Sequence, residues 1–150
     1  MMTELPTVII VHPRERRAKC TIAALRGDQR LRFLKHPRRP EDLSGYVRLG
    51  MTGPLLSRDD AQFGLLLLDG TWRWAESMEA NVAEVPTRTL PPLTTAYPRT
   101  SKVFEDPPQG LATVEALYAA LRILGRDASG MLDHYAFAEQ FLTQNAQLLP

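Results

Sequence analysis

The stretch GLLLLDGTW, Gly64 to Trp72, runs from an unbroken apolar block straight into an aspartate, a glycine, a threonine and a tryptophan. Four consecutive leucines do not alternate with polar residues. A strand built from them therefore has both faces covered, as in a parallel sheet flanked by helices. Past Asp69-Gly70 the period changes. Trp72, Ala75 and Met78 follow helical spacing, with Thr71 as candidate N-cap and Glu76 and Glu79 off the apolar stripe. A buried strand feeding a helix is the repeating unit of an α/β fold.

Working outward, Thr7 to Val11 is a β-branched run ended by His12-Pro13, and reads as a second buried strand. Glu15 to Arg26 has helical spacing at Ala18, Ile22 and Leu25, with Gly27 as its stop. Leu31 to Leu34, Tyr46 to Leu49 and Thr87 to Leu90 are further strand candidates, with a turn expected at Gly53-Pro54. Ser57 with Asp60 three residues on predicts a capped helical turn. Residues 91 to 108, with prolines at both ends, form a long loop of the kind that is functional or partly extended. Thr113 to Leu124 predicts a helix stopped by Gly125, and Leu132 to Leu142 a last one carrying Tyr135, Phe137, Ala138, Phe141 and Leu142 on its apolar surface.

At 150 residues the chain suits one domain with a single core. The longest apolar run is strand-sized, so no membrane span is expected. The charges near the start follow the apolar run, unlike a signal peptide, and the lone Cys20 excludes an internal disulfide. A cytoplasmic protein is the expectation. Residues 1–58 carry twelve Lys/Arg against five Asp/Glu, whereas residues 59–150 carry six against twelve. A basic N-terminal part and a second part of the same domain, 59–150, follow from that split. Clustered positive charge is either a solvated face or a phosphate-facing one. The candidates for nucleic-acid phosphates are Arg14, Arg16, Arg17, Lys19, Arg38, Arg39, Arg99 and Lys102. His12, His36 and His134 lack ligand-like spacing, so no metal is expected.

Ligands of open α/β sheets sit beyond the carboxyl ends of strands, which is where Asp69-Gly70-Thr71 falls. Gly70 permits an unusual backbone angle or close approach of a ligand, and Thr71 offers a hydroxyl beside exposed helix amides. Asp69 is the obvious carboxylate, either a base or a cap on the turn. Glu115, one turn into a helix, reads as a loop-anchoring group, and Cys20 as a small packed residue.

The segment DGTW followed by Ala75 resembles the signature of the DTW-domain proteins, which include tRNA-uridine aminocarboxypropyltransferases. The wider pattern looks more like the related small-subunit rRNA aminocarboxypropyltransferases of ribosome biogenesis. It is carried by Lys19-Cys20-Thr21, Leu65 to Trp72, Arg88 to Leu93, Leu111 to Ala116, Leu121 to Gly125, and the tail His134 to Asn145. The chain departs from it at Gly70-Thr71, where the rRNA enzymes usually carry Cys-Ser. The loop Ala96 to Ser101 also replaces an Asn-Pro-x-Asn-Tyr-Gly segment, and Val103 to Pro108 resembles an insertion.

The resemblance implies a single-domain SPOUT-like parallel sheet flanked by helices, with a C-terminal trefoil knot that holds S-adenosylmethionine within 59–150. It implies that the Thr21 amide and Thr71 hydroxyl hold the methionine carboxylate and the Leu68 carbonyl the ribose. Backbone from Leu90 to Leu93 and around Thr113 would hold adenine. Gln109 stands where the family has an aromatic, so its contact would be through backbone. Trp72 and Ala75 would pack on the S-methyl and leave the longer arm facing out, so positioning selects the group transferred. The acceptor would be N3 of a uridine or pseudouridine in structured RNA, rRNA or tRNA, with Asp69 as candidate catalytic base. Methyl transfer on the same fold and a non-catalytic RNA-binding assembly factor are the alternatives.

Overall fold

The structure, a computed structural model, describes residues 5–14, 21–70, 72–98 and 110–150, and of Trp72 and Arg73 the backbone alone. Five strands form one sheet: β1 (Thr7–Val11), β2 (Leu31–Lys35), β3 (Tyr46–Leu49), β4 (Gly64–Asp69) and β5 (Thr87–Arg88), in the order β2-β1-β4-β3-β5. All pairings are parallel. Among the described residues three α-helices flank it: α1 (Trp72–Ala80), α2 (Thr113–Leu124) and α3 (Ala138–Gln144).

The unbroken leucines are explained by which face each one serves. Ile9, Val11, Leu65 and Leu67 pack into a large core with Leu117, Leu121 and Phe141. Val8, Ile10 and Leu66 point the other way, into a smaller core with Met78, Val82 and Val85. Side chains alternate between the faces of a strand, so covering both faces demands apolar residues at every position. Asp69 breaks the run where the strand leaves the core.

Several sequence expectations hold and two are corrected. Ser57 accepts from the Asp59 amide, and the Asp60 carboxylate accepts from the Ser57 amide, around a 3-10 turn at Arg58–Asp60. Gly125 ends α2 at φ 74°, a left-handed angle that L side chains rarely adopt. The helix expected over Glu15 to Arg26 lies partly outside the described residues, and its described end is a 3-10 turn, Ala23–Leu25. The helix expected from Leu132 instead starts at Ala138. Before it the chain turns twice, through Tyr135 N–H to Leu132 O and Ala138 N–H to Tyr135 O. The cause is packing: the Tyr135 and Phe137 rings meet edge-on at 5.7 Å, whereas residues two apart on a helix do not face each other. No described helix is long and apolar enough to cross a membrane.

Candidate functional site at the carboxyl edge of the sheet

After β1 the chain moves outward to β2, and after β4 it moves the other way to β5, so the strand order reverses between β1 and β4. The carboxyl ends of two such strands border the crevice that ligands use in open α/β sheets. The register sets Val11 level with Asp69, and the His12 amide donates to the Asp69 carbonyl at 2.9 Å.

On the α2 side of this edge lies a polar node. Asp69, buried, accepts the Thr113 hydroxyl at 2.5 Å. Thr113 is the first residue of α2 and Val114 the second. The Val114 amide donates to the Thr21 hydroxyl oxygen at 3.2 Å. An N-cap side chain normally accepts that amide, but the N-cap here is Ala112, which has no acceptor. Thr21, far away in sequence, takes its place. Thr21, Asp69 and Thr113 thus meet at one helix N-terminus, whose amides favour a carboxylate or another anion.

Glu115 holds the loop beside this node. Its side chain is fully buried and accepts four hydrogen bonds. One carboxylate oxygen takes the Thr95 hydroxyl at 2.6 Å and the Ala112 amide at 2.8 Å; the other takes the Ala96 amide at 2.8 Å and the Tyr135 hydroxyl at 2.9 Å. Burial and the adjacent Glu115 push the Tyr135 phenol far up, so it remains a donor. Asn145 completes the anchor. Its side chain accepts from the Thr94 amide at 2.7 Å and donates to the Thr94 and Phe141 carbonyls. The loop between β5 and α2 is therefore fixed at residues 94–96, with Leu93 and Ala96 in the large core.

The α1 side is built from rings. His12, buried, stacks on Trp74 and His36. Burial, with His36 and Arg14 nearby, holds its imidazole below the usual value of 6.5. Gly70 joins the two sides. A Cβ there would come within 2.9 Å of the Met78 sulfur and 3.3 Å of the His12 Cβ. The unusual backbone angle that the sequence offered as a reason for this glycine does not occur, since Gly70 is not among the positive-φ glycines; the protein's own Met78 and His12 crowd it.

The residues singled out from sequence divide three ways. Thr21, Asp69 and Thr113 come together at the node; Leu68, the residue before the last of β4, packs on the α1 side, and Leu90 and Leu93 enter the anchored loop. Ala75 is half-buried on α1. Arg38 is exposed, but the Arg39 guanidinium is spent within the protein, on Glu84 at 2.5 Å and the Asn81 carbonyl at 2.9 Å. Arg16, Arg17, Lys19, Cys20, Thr71, Arg99, Lys102 and Gln109 lie outside the described residues, as does the Trp72 side chain. Asn145 appeared only as the end of a resembling tail, and His12 only as a poor metal ligand; its place just after a buried strand was the signal available. No cluster of metal-ligating side chains occurs among the described residues. A cleft of about 450 Å³ bordered by Glu41, Tyr46, Phe63 and Arg88 opens at the opposite, amino edge, away from these groups.

Residues 51–150 match the family model described as ribosome biogenesis protein, C-terminal. Among solved structures, the chain is similar to the SAM-dependent rRNA:acp-transferase Tsr3 from Vulcanisaeta distributa, at 27% identity and a TM-score of 0.72, covering 95% of this chain and 79% of that one. No curated protein matches.

Proposed function

The chain belongs to the family of ribosome biogenesis proteins defined by their C-terminal region, and from that premise we propose that it transfers a 3-amino-3-carboxypropyl group from S-adenosylmethionine to N3 of a uridine or pseudouridine in rRNA. The observation that carries the proposal is the likeness to a SAM-dependent rRNA:acp-transferase along nearly the whole chain. The chemistry of the site fits the donor. The Thr21 amide offers a donor to the methionine carboxylate, and the loop pinned by Glu115 and Asn145 up to Thr113 offers a fixed backbone edge to adenine. S-adenosylmethionine would supply the group on its sulfonium, the bond from sulfur to the aminocarboxypropyl carbon breaking as the carbon bonds to N3 and methylthioadenosine leaving.

The chain's own residues decide which arm reacts. Trp72 and Ala75 pack against the methyl and sulfonium, and an indole face favours a desolvated cation by about 1–2 kcal/mol. Leu68 offers its carbonyl to the ribose, Thr71 its hydroxyl to the carboxylate, and Leu90, Leu93, Gln109 and Thr113 line the adenine. Asp69 stands at the strand end with Thr113 as hydrogen-bond donor. It takes or polarises the N3 proton, which a uridine must lose to become nucleophilic. Arg14, Arg16, Arg17, Lys19, Arg38, Arg99 and Lys102 face RNA phosphates, while Arg39 braces the loop that carries Arg38.

The finer class follows the same reading: a SPOUT-like domain related to the DTW proteins, with a C-terminal trefoil knot. The Asn145 contact with Thr94 brings the end of the chain to the loop before α2. The lone Cys20 agrees with a cytoplasmic setting. Incubating the protein with rRNA and S-adenosylmethionine labelled at the carboxyl carbon tests the proposal. Label in an RNA nucleoside is the expected result. Label only from methyl-labelled donor would mean methyl transfer, and no label from either would leave an assembly factor.

A further inference from the structure

The α1 side of the carboxyl edge holds a feature that group transfer does not use. Three rings lie in the order His36, His12, Trp74, with centroids 5.6 and 4.3 Å apart and planes tilted by 21° and 9°. The Arg14 guanidinium lies over Trp74, 5.7 Å from its centroid. The middle ring is buried and the end rings are half-buried, so the ladder is rooted in the protein and still meets solvent at its ends.

Flat stacking is not how this protein packs its interior aromatics. Tyr97 and Phe137 meet at 80° and Tyr135 and Phe137 at 75°, the edge-on arrangement that ring quadrupoles favour. Among the described residues, parallel ring stacks occur at this edge alone. The backbone also keeps the ladder uncharged at its centre. The Arg14 amide donates to His12 Nδ1 at 3.1 Å, so that nitrogen is bare and the ring proton sits on Nε2. His36 Nδ1 is enclosed and has no partner among the described residues. Flat rings with a cation beside them match the way unpaired bases are held, by stacking on aromatics while arginine or lysine takes the backbone.

Resting on the reading of this edge as an RNA-modification site, we propose that the His36–His12–Trp74 ladder is a stacking subsite for an unpaired nucleobase next to the modified nucleotide, with Arg14 on its phosphate. The position follows from Gly70: a Cβ there would lie 3.3 Å from His12 Cβ and 3.8 Å from Trp74 Cβ, so the ladder borders the loop where donor and acceptor meet.

The test uses a single-stranded oligouridylate carrying one 2-aminopurine, and the same oligomer with an abasic site in its place. Binding should quench the 2-aminopurine, and the abasic oligomer should bind about tenfold more weakly. Trp74→Leu should lose the quench and weaken binding by a similar factor, while Trp74→Phe, which keeps a ring, retains most of both. Absence of quenching, or equal affinity for the abasic oligomer, overturns the subsite. So does a folded Trp74→Leu that binds and quenches like the native protein. Should that variant not fold, the native protein and Trp74→Phe decide. Calorimetry of S-adenosylmethionine on the native protein separates the two readings. Donor binding without quenching sinks the ladder alone, and quenching without donor binding sinks the transferase reading and leaves a base-binding site.

Discussion

The two sides of one sheet edge solve different problems. Toward α2, polar groups are tied to one another: Asp69 to Thr113, Thr21 to Val114, Glu115 to four donors, Asn145 to Thr94. Toward α1, flat rings stack and carry few hydrogen bonds. A buried carboxylate left with an unpaired neighbour is costly, so a satisfied network is rigid. Stacked rings tolerate sliding and accept another flat ring at little cost. The first side suits a fixed ligand read in detail, the second a base taken from a changing partner.

The largest effect should come from breaking the rigid side. Glu115→Leu strands four donors at once, and urea unfolding should show a loss of about 3–5 kcal/mol. A loss below about 1 kcal/mol would mean that the loop is held by its apolar contacts. Asp69→Asn keeps the size of the side chain while removing its charge. If Asp69 is the base, transfer falls about a hundredfold or more with donor affinity little changed. Unchanged turnover would make it a member of the node and no more. Trp72→Ala should weaken donor binding by about 1–2 kcal/mol in calorimetry; unchanged affinity would put the sulfonium elsewhere.

The smallest effect belongs to the stacked side. His12 has a depressed pKa in the fold, so below about pH 6.5 the unfolded chain takes up a proton more readily than the native one. Its contribution is complete above that value and is lost as pH falls through the lower folded value. The thermal midpoint should drop between about pH 7.5 and about pH 5.5, and His12→Gln should flatten that drop. An equal drop in both proteins would assign the acid sensitivity to other groups.

Much of the fold was legible because its signals are local. Leu65 to Leu68 announce a strand covered on both faces, Ser57 and Asp60 announce their turn, and Gly125 announces the end of α2. Leu132 to Phe137 misled because their apolar spacing fits a helix, while the Tyr135 hydroxyl and its edge-on contact with Phe137 hold the chain in turns. Of the candidate site, Asp69 and Thr21 were visible as residues of a resembling pattern. That Thr21 caps α2, that Arg39 is spent on Glu84, and that Trp74 stacks on His12 were not.

By itself the sequence determined the strands, the switch from an unbroken apolar run to helical period at Asp69-Gly70, and the uneven distribution of charge, because each is written in neighbouring residues. Which groups meet at the two strand ends was decided by the parallel register. Setting Val11 level with Asp69 places His12 beside Gly70 on one face and Asp69 against Thr113 on the other, and contacts across such distances in the chain leave no periodic trace in it.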